Sequence, residues 1–245
     1  MVEERYAVVS CHVERPLDDH VWAAFSRLQA RRPGGFRIAA LMRPPDEGAG
    51  EDTRVWLDRA RIAAAQGPLG HHTHWGGPQQ ARPRDGDPAD RVNREGRWLH
   101  DAGLEPSVFC GGGWYMDADV AAAAAALGYA DCTGTCFRPP YLEEQASRLE
   151  AHEPSWLELP GGKRLLELPT THSLGMLARA AFHPRALGEP LVHVYFHDND
   201  LLDRRRAAVL RVSLALLAGR RFPAGLDEVA AKARELALPV DRRFA

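Results

Sequence analysis

Closely spaced histidines are the first feature of this sequence that points to chemistry. The chain has 245 residues and 11 histidines, and residues 71–77 read HHTHWGG. His72 and His74 are two positions apart, so an extended backbone places both side chains on the same face. Such a pair at the end of a strand is a recurrent metal-binding pattern, because imidazole nitrogen is a good ligand for divalent ions. The sequence therefore predicts a metal site that contains His72 and His74.

Two further stretches add acidic and basic groups. Residues 10–16 read SCHVERP and contain His12 and Glu14, which share a face by the same period of two. Residues 192–200 read VHVYFHDND and contain His197 and Asp198. Seven or more of the 11 histidines lie at the ends of predicted strands, and a random distribution would not cluster them so. Converging imidazole and carboxylate groups suit metal binding and general acid–base catalysis.

These groups define an expected reaction centre. The expected ligands of one divalent metal, with zinc as the expected ion, are His12, His72 and His74. A metal lowers the pKa of a bound water to about 7, which makes hydroxide accessible at neutral pH. Glu14 is then either a fourth ligand or the base that accepts the proton. Asp18 and Asp19, which follow Pro16-Leu17, are the second choice for this acidic residue.

His197 is the expected general acid, with Asp198 or Asp131 orienting its imidazole ring. The oxyanion is expected to receive a backbone N–H near residues 114–115. The residues expected to contact a small-molecule or oligosaccharide substrate are Trp75, Trp114, Tyr115, Asp131, His172 and Asp200. Each has a structural alternative, because a histidine at a strand end is often a packing residue and aromatic rings there also close a barrel.

Short apolar runs alternate with helical patterns along the whole chain. The predicted strands cover residues 6–11, 36–41, 69–72, 108–111, 129–133, 165–169 and 191–197. Predicted helices lie between them; Gly67 and Gly103 end two of these helices as expected left-handed caps. Alternating strands and helices predict a parallel sheet whose strand ends gather the active site. We expect an α/β fold, a distorted (β/α)7 barrel formed by one domain over residues 1–245, with an open doubly wound sheet as the alternative.

Composition limits the classes of protein that fit. The net charge of −2 gives no global attraction to nucleic acid, and no apolar run approaches the roughly 18 residues of a membrane span. The N-terminal residues lack the pattern of a signal peptide, so a cytoplasmic location is expected. The four cysteines are then reduced and are interpreted as small packing residues. The sequence does not indicate an oligomeric state.

The order of these motifs resembles the NodB-homology polysaccharide deacetylases over nearly the whole chain. The family's first motif of two acidic residues corresponds to His12 and Glu14. Its His-Ser/Thr-x-x-His motif begins at His72, although the second histidine falls two residues early at His74. The family's third motif corresponds to residues 110–115, with Cys110 in place of arginine, and its apolar-His-Asp motif ends at His197 and Asp198.

The resemblance implies a distorted (β/α)7 barrel and a metal-dependent hydrolase that removes an acetyl or similar acyl group from an amino sugar or glycan. The replaced acidic pair and the replaced arginine leave two alternatives open. One is a non-catalytic relative that binds a glycan or metabolite. The other is a metal-dependent phosphoesterase. Such an enzyme needs more metal-bridging carboxylates and a basic cradle for phosphate, and the sequence shows neither clearly.

Overall fold

The fold is built on a mostly parallel central sheet. The computed structural model describes residues 5–180, 183 and 187–245. The strands are β1 (Tyr6–Val13), β2 (Ala39–Met42), β3 (Leu69–Thr73), β4 (Val108–Gly111), β5 (Ala130–Asp131), β6 (Ser155–Glu158), β7 (Arg164–Glu167), β8 (His172–Ser173), β9 (Val192–His197), β10 (Phe222–Pro223) and β11 (Val240–Asp241). Each of the seven predicted strands overlaps one of these, whereas β6, β8, β10 and β11 were not predicted.

The strands are ordered β11-β6-β7-β5-β4-β3-β2-β1-β9-β8, and β10 pairs with β1. Among the strand pairs of the described residues, only β6 and β7 are antiparallel. The carboxyl ends of β1, β3, β4 and β9 therefore lie at the same edge of the sheet. The chain thus forms an α/β fold in which the predicted site residues are carried to one edge.

The segment between β7 and β8 hydrogen-bonds in both directions. The Leu168 N–H donates to the Asp131 carbonyl at 2.8 Å, and the Thr170 N–H donates to the Gly134 carbonyl at 2.7 Å. The Thr171 N–H donates to the His193 carbonyl at 2.9 Å. Residues 168–171 therefore contact the chain around β5 on one side and β9 on the other.

Helices connect the parallel strands. They are α1 (Asp19–Arg31), α2 (Thr53–Gln66), α3 (Pro88–Asp101), α4 (Ala118–Ala126), α5 (Leu174–Ala180), α6 (Arg204–Ala218) and α7 (Leu226–Arg234). Five of them begin at an aspartate whose carboxylate accepts backbone N–H groups of the first turn: Asp18, Asp52, Asp87, Asp117 and Asp203. Within the described residues, none of the helices has the length and apolar character that a membrane span requires.

Gly67 differs from its predicted role. Its backbone is extended, with φ −165°, so the left-handed cap predicted after α2 does not form there. A Cβ at this position would lie 2.4 Å from the Ile38 carbonyl oxygen, so glycine is required by close backbone approach. Gly103, after α3, has φ +74° and adopts the predicted left-handed conformation.

The central strands are buried on both faces, as parallel strands usually are. Along β1, Ala7 and Val9 face an apolar layer formed with α1, α2 and α6. Val8, between them, faces a second cluster that includes Cys110 of β4, Tyr195 of β9 and much of α7. A third cluster packs α3 and α4 against β4, β6 and β7. The rigid layers on both sides fix where the strand ends, and hence the polar side chains on them, are placed.

Candidate metal centre

Glu14 follows the carboxyl end of β1 and lies among three imidazole rings. Its Oε1 atom is 3.4 Å from Nε2 of His74, 3.6 Å from Nε2 of His197 and 3.7 Å from Nε2 of His72. The three histidines come from β3, the residue after it and β9, so the fold assembles groups that are far apart in sequence. The carboxylate side chain is 29% exposed, which leaves a route from solvent to this point.

His72 and His74 are oriented by backbone carbonyl groups. Nδ1 of His72 lies 2.9 Å from the Cys110 carbonyl, and Nδ1 of His74 lies 3.0 Å from the Pro78 carbonyl. A carbonyl oxygen only accepts, so each Nδ1 carries the proton in these contacts. The Nε2 atoms of both rings are buried and have no hydrogen-bond partner. The carbonyl contacts at Nδ1 orient both rings, so that Nε2 of each can offer its lone pair to a bound cation.

His12 reaches the same place from β1. Its ring centroid is 4.5 Å from that of His72 and 5.2 Å from that of His197. Its Nε2 is 3.8 Å from Sγ of Cys110 on β4. The ligand atoms of three groups lie within 4.8 Å of one another: His12, His72 and Cys110; His12, Glu14 and His197; and Glu14, His72 and His74. The structure thus brings together every expected metal ligand, and it adds Cys110.

The charges of this cluster are strongly coupled. Burial acts to raise the pKa of Glu14, but the neighbouring imidazole groups of His72 and His74 outweigh burial and hold that pKa well below its usual range. Burial acts to lower the pKa of His72, but its contacts with Cys110 and Glu14 outweigh burial and raise it to about 10. Burial lowers the pKa of His74. Without metal, His72 therefore carries a proton that faces the Glu14 carboxylate. A bound metal cation would replace that proton.

His197 and Asp198 have different surroundings. Burial lowers the pKa of His197 to about 4 and raises that of Asp198 to about 6. The Asp198 carboxylate accepts the backbone N–H of Arg15 at 2.8 Å and that of Asn199 at 2.8 Å. Asp198 therefore ties the segment that carries Glu14 to β9, rather than hydrogen-bonding the His197 ring as expected. Asp200 accepts the backbone N–H of His197 at 3.0 Å.

Asp131 and His172 contact side chains other than those around Glu14. The Thr133 hydroxyl donates to Asp131 at 2.6 Å, and Asp131 is in register with Glu167 of β7. His172 contacts the Thr171 hydroxyl at 2.8 Å and lies 4.0 Å from Glu189. Asp131 thus lies beside Glu167 and Thr133 instead of orienting the His197 ring as expected.

The predicted aromatic platform also differs from the structure. Trp75 and Trp114 are 5% and 2% exposed, and both rings belong to apolar clusters. Trp114 has a left-handed backbone, with φ +60°, and its indole N–H donates to the Tyr141 hydroxyl at 2.6 Å. Tyr115 is half-buried beside Arg82, and its backbone N–H, near the expected oxyanion site, donates to the Gly112 carbonyl. These rings pack, and the exposed aromatic residue beside the site is Tyr141, at 61% exposure.

Two clefts flank the cluster. A cleft of about 670 Å³ has both apolar and basic lining residues: Tyr141, Leu174, Tyr195, His197, Arg206 and Val209. A polar cleft of about 500 Å³ is lined by Glu14, Arg15, Arg43, Glu51, Gln79 and Asn199. His197 lines the first cleft and Glu14 the second, and their side chains are 3.6 Å apart, so a molecule that occupied both clefts would contact the cluster.

Sequence reasoning missed Cys110 and Tyr141. Cys110 was interpreted as a packing residue, although its position at the end of β4 was a usable signal. Tyr141 lies in residues 137–142, FRPPYL, a stretch to which the sequence analysis assigned no role. Only packing brings that loop to the rim beside His197.

Comparison with known proteins gives a fold and no family. No family model and no curated protein matches the chain. A 4-alpha-glucanotransferase from Thermococcus litoralis is similar over 98% of this chain, with a TM-score of 0.55 and 11% identity. The chain spans 43% of that protein's length, and the likeness shows the fold alone.

A second solved structure is described as a "putative polysaccharide deacetylase" involved in O-antigen biosynthesis, from Bordetella bronchiseptica. It has 13% identity and covers 94% of this chain and 89% of its own, but its TM-score of 0.43 is too low to support an argument.

Proposed function

We propose that this chain is a metal-dependent hydrolase that removes an acetyl or similar acyl group from an amino sugar or a glycan-related substrate. One observation carries the proposal: the buried, unpartnered Nε2 atoms of His72 and His74 face the Glu14 carboxylate. The donor set suits a borderline divalent ion such as zinc, because it is made of imidazole nitrogen with carboxylate oxygen. The sugar class of the substrate rests on the motif resemblance.

A metal bound there would supply a Lewis acid and a water of lowered pKa. His12, His72 and His74 are the residues proposed to hold it. Glu14 is positioned to accept a proton, because its carboxylate is partly exposed and lies 3.4 Å from Nε2 of His74 and 3.7 Å from Nε2 of His72. His197, neutral through burial and 3.6 Å from Glu14, is positioned to receive that proton and to deliver it to the leaving amine.

Asp198 has a positioning role in this proposal. By holding the backbone N–H of Arg15, it fixes the residue next to Glu14 and so keeps the carboxylate close to the histidines. Substrate is proposed to bind across the two clefts, with Tyr141 at the rim in place of the buried Trp75 and Trp114.

The proposed architecture is one domain over residues 1–245 with the fold of a distorted (β/α)7 barrel. The hydrogen bonds of residues 168–171 to both the β5 segment and β9 support closure, because they place one continuous segment between the two strands. We propose a cytoplasmic protein without nucleic acid as a partner.

The test is metal content together with activity. Purified wild-type protein is expected to contain about one transition metal per chain by elemental analysis, and His72→Ala and His74→Ala are expected to lose both metal and activity. His152→Ala is the matched control, because His152 is exposed and paired with Glu150. Substrates are an acetylated chito-oligosaccharide, an acetylated aryl ester and a generic phosphoester.

Hydrolysis of the acetylated compounds supports the proposal. Preferential hydrolysis of the phosphoester would favour the phosphoesterase instead. Failure to take up zinc, with binding of a glycan retained, would favour a non-catalytic binding protein.

A further inference from the structure

Cys110 has contacts that the other cysteines do not have. The thiols of Cys132 and Cys136 donate to carbonyls of residues distant in sequence, at 3.2 and 3.3 Å, and the Cys11 thiol donates to the carbonyl of its neighbour at 3.8 Å. Cys110 instead places its sulfur 3.8 Å from Nε2 of His12, and its only carbonyl contact among the described residues is with its neighbour Gly111 at 4.0 Å. Its sulfur therefore faces the cluster of histidines.

The spacing of these atoms matches ligands on one ion. With zinc–sulfur bonds of about 2.3 Å and zinc–nitrogen bonds of about 2.0–2.1 Å, tetrahedral sulfur and nitrogen ligands lie roughly 3.6 Å apart. The sulfur-to-nitrogen distance of 3.8 Å between Cys110 and His12 is close to this value. His72 completes the group, since its Nε2 is within 4.8 Å of both other ligand atoms, is buried and has no hydrogen-bond partner.

We infer that Cys110 is a sulfur ligand of the metal and takes the place of His74 in the proposed ligand set, which becomes Cys110, His12 and His72. With this set, His74→Ala keeps the metal and loses only activity. The inference rests on the proposed function and deepens it. Catalytic zinc sites commonly have three protein ligands and an open position for water. Cys110 gives up its thiol proton to solvent as the ion binds, because the thiolate is the ligand form.

This ligand set decides the role of Glu14. With Cys110, His12 and His72 as ligands, the carboxylate is not needed to complete the coordination and acts as the base. Glu14 and His74 then lie beside the open position, where Oε1 of Glu14 is 3.4 Å from Nε2 of His74. Replacement of arginine by Cys110 in the third motif is thus a change of metal chemistry toward softer ions.

The experiment uses the full chain loaded with cobalt. Wild-type protein with one equivalent of Co²⁺ is expected to show a sulfur-to-cobalt charge-transfer band in the near ultraviolet. Cys110→Ser is expected to lose the band and to bind zinc more weakly by more than about tenfold. Loss of a residue that only hydrogen-bonds a metal ligand already weakens binding by about that factor. Cys136→Ser is the matched control, because the Cys136 thiol donates to the Thr171 carbonyl at 3.3 Å.

A second measurement does not depend on a variant that folds. Zinc-edge X-ray absorption of wild-type protein is expected to show one sulfur at about 2.3 Å beside nitrogen or oxygen at about 2.0 Å. A shell of nitrogen and oxygen alone, or a charge-transfer band that persists in Cys110→Ser, would overturn sulfur ligation. Stoichiometric cobalt binding without the band would overturn it too and leave the proposed hydrolase standing, whereas failure to bind either metal would overturn both.

Discussion

At the scale of single residues, Glu14 differs from the nearby Asp18 in the groups that its carboxylate contacts. Its carboxylate contacts three imidazole rings, whereas the Asp18 carboxylate accepts the backbone N–H groups of His20 and Val21 and caps α1. Both lie within the acidic stretch after β1, and the sequence left open which of them reacts. The contacts favour Glu14 as the reactive acid and Asp18 as a helix cap.

The first prediction separates these two acids. Glu14→Gln removes the proton acceptor but keeps the size of the side chain, so we expect kcat to fall by roughly 10²–10⁴-fold while metal content is retained. Asp18→Asn keeps an oxygen that caps α1, so activity is expected to change little. Steady-state kinetics and elemental analysis check both. Equal losses in the two variants would contradict the assignment.

At the scale of elements, β5 and β7 hold an uncommon pair of carboxyl groups. Asp131 and Glu167 are in register on adjacent strands, and both are fully buried. Oδ2 of Asp131 and Oε2 of Glu167 have no other hydrogen-bond partner. Burial raises the pKa of Asp131 to about 6 and raises that of Glu167 well above its usual range, with the Asp131 charge as the second cause for Glu167. We expect the two groups to share a proton at neutral pH.

The second prediction follows from the sign of these shifts. A raised folded-state pKa means that the native chain binds more protons than the unfolded chain, where glutamate titrates near about 4.3. The stability that protonated Glu167 contributes is therefore full below that value and is lost as pH rises through its folded pKa. The slope is about 1.4 kcal/mol per pH unit for one proton taken up on folding.

Glu167→Gln is an uncharged replacement that removes this titration. The free energy of unfolding, measured with urea between pH 5 and pH 8, is expected to fall less steeply with pH than in the wild type. Glu158→Gln serves as the control. Glu158 lies on β6, next to β7, and its partly exposed carboxylate is paired with Arg242. Parallel curves for Glu167→Gln and wild type would show that Glu167 does not titrate as argued.

At the scale of the whole molecule, the candidate metal centre joins strands that are distant in sequence. His12, His72, Cys110 and His197 come from β1, β3, β4 and β9. An ion bound by these residues would hold the native arrangement, because the unfolded chain does not present them together. Metal binding and stability are therefore expected to be linked.

The third prediction concerns metal removal. Zinc at a hundred times its dissociation constant adds about 2.7 kcal/mol to stability, which corresponds to a rise in Tm of roughly 5–10 °C for a chain of this size. A chelator is expected to reverse the rise, and His72→Ala is expected to show none. Thermal unfolding followed by circular dichroism measures both. A Tm that is unaffected by zinc in wild-type protein would contradict the proposed site.

The sequence by itself determined the order of the elements and the polar ends of the strands. Residues that alternate in the strands and aspartates that cap the helices are local patterns, so Asp18, Asp117 and Asp203 were predictable as helix starts. His72 and His74 were predictable as neighbours because a strand has a period of two. The antiparallel β6 was not predictable, since its pairing with β7 depends on long-range contacts.

Tertiary structure alone decided which atoms meet. A hydrogen bond from Nδ1 of His72 to the Cys110 carbonyl turns Nε2 toward Glu14. Packing also places Asp131 beside Glu167, buries Trp114 and brings Tyr141 to the rim of the cleft. Local periodicity fixes the face on which a side chain stands, but the distance between two strands, their register and the tautomer of a ring depend on how distant segments pack. For that reason the histidines of the site were found in the sequence, and the place of Cys110 beside His12 was found only in the fold.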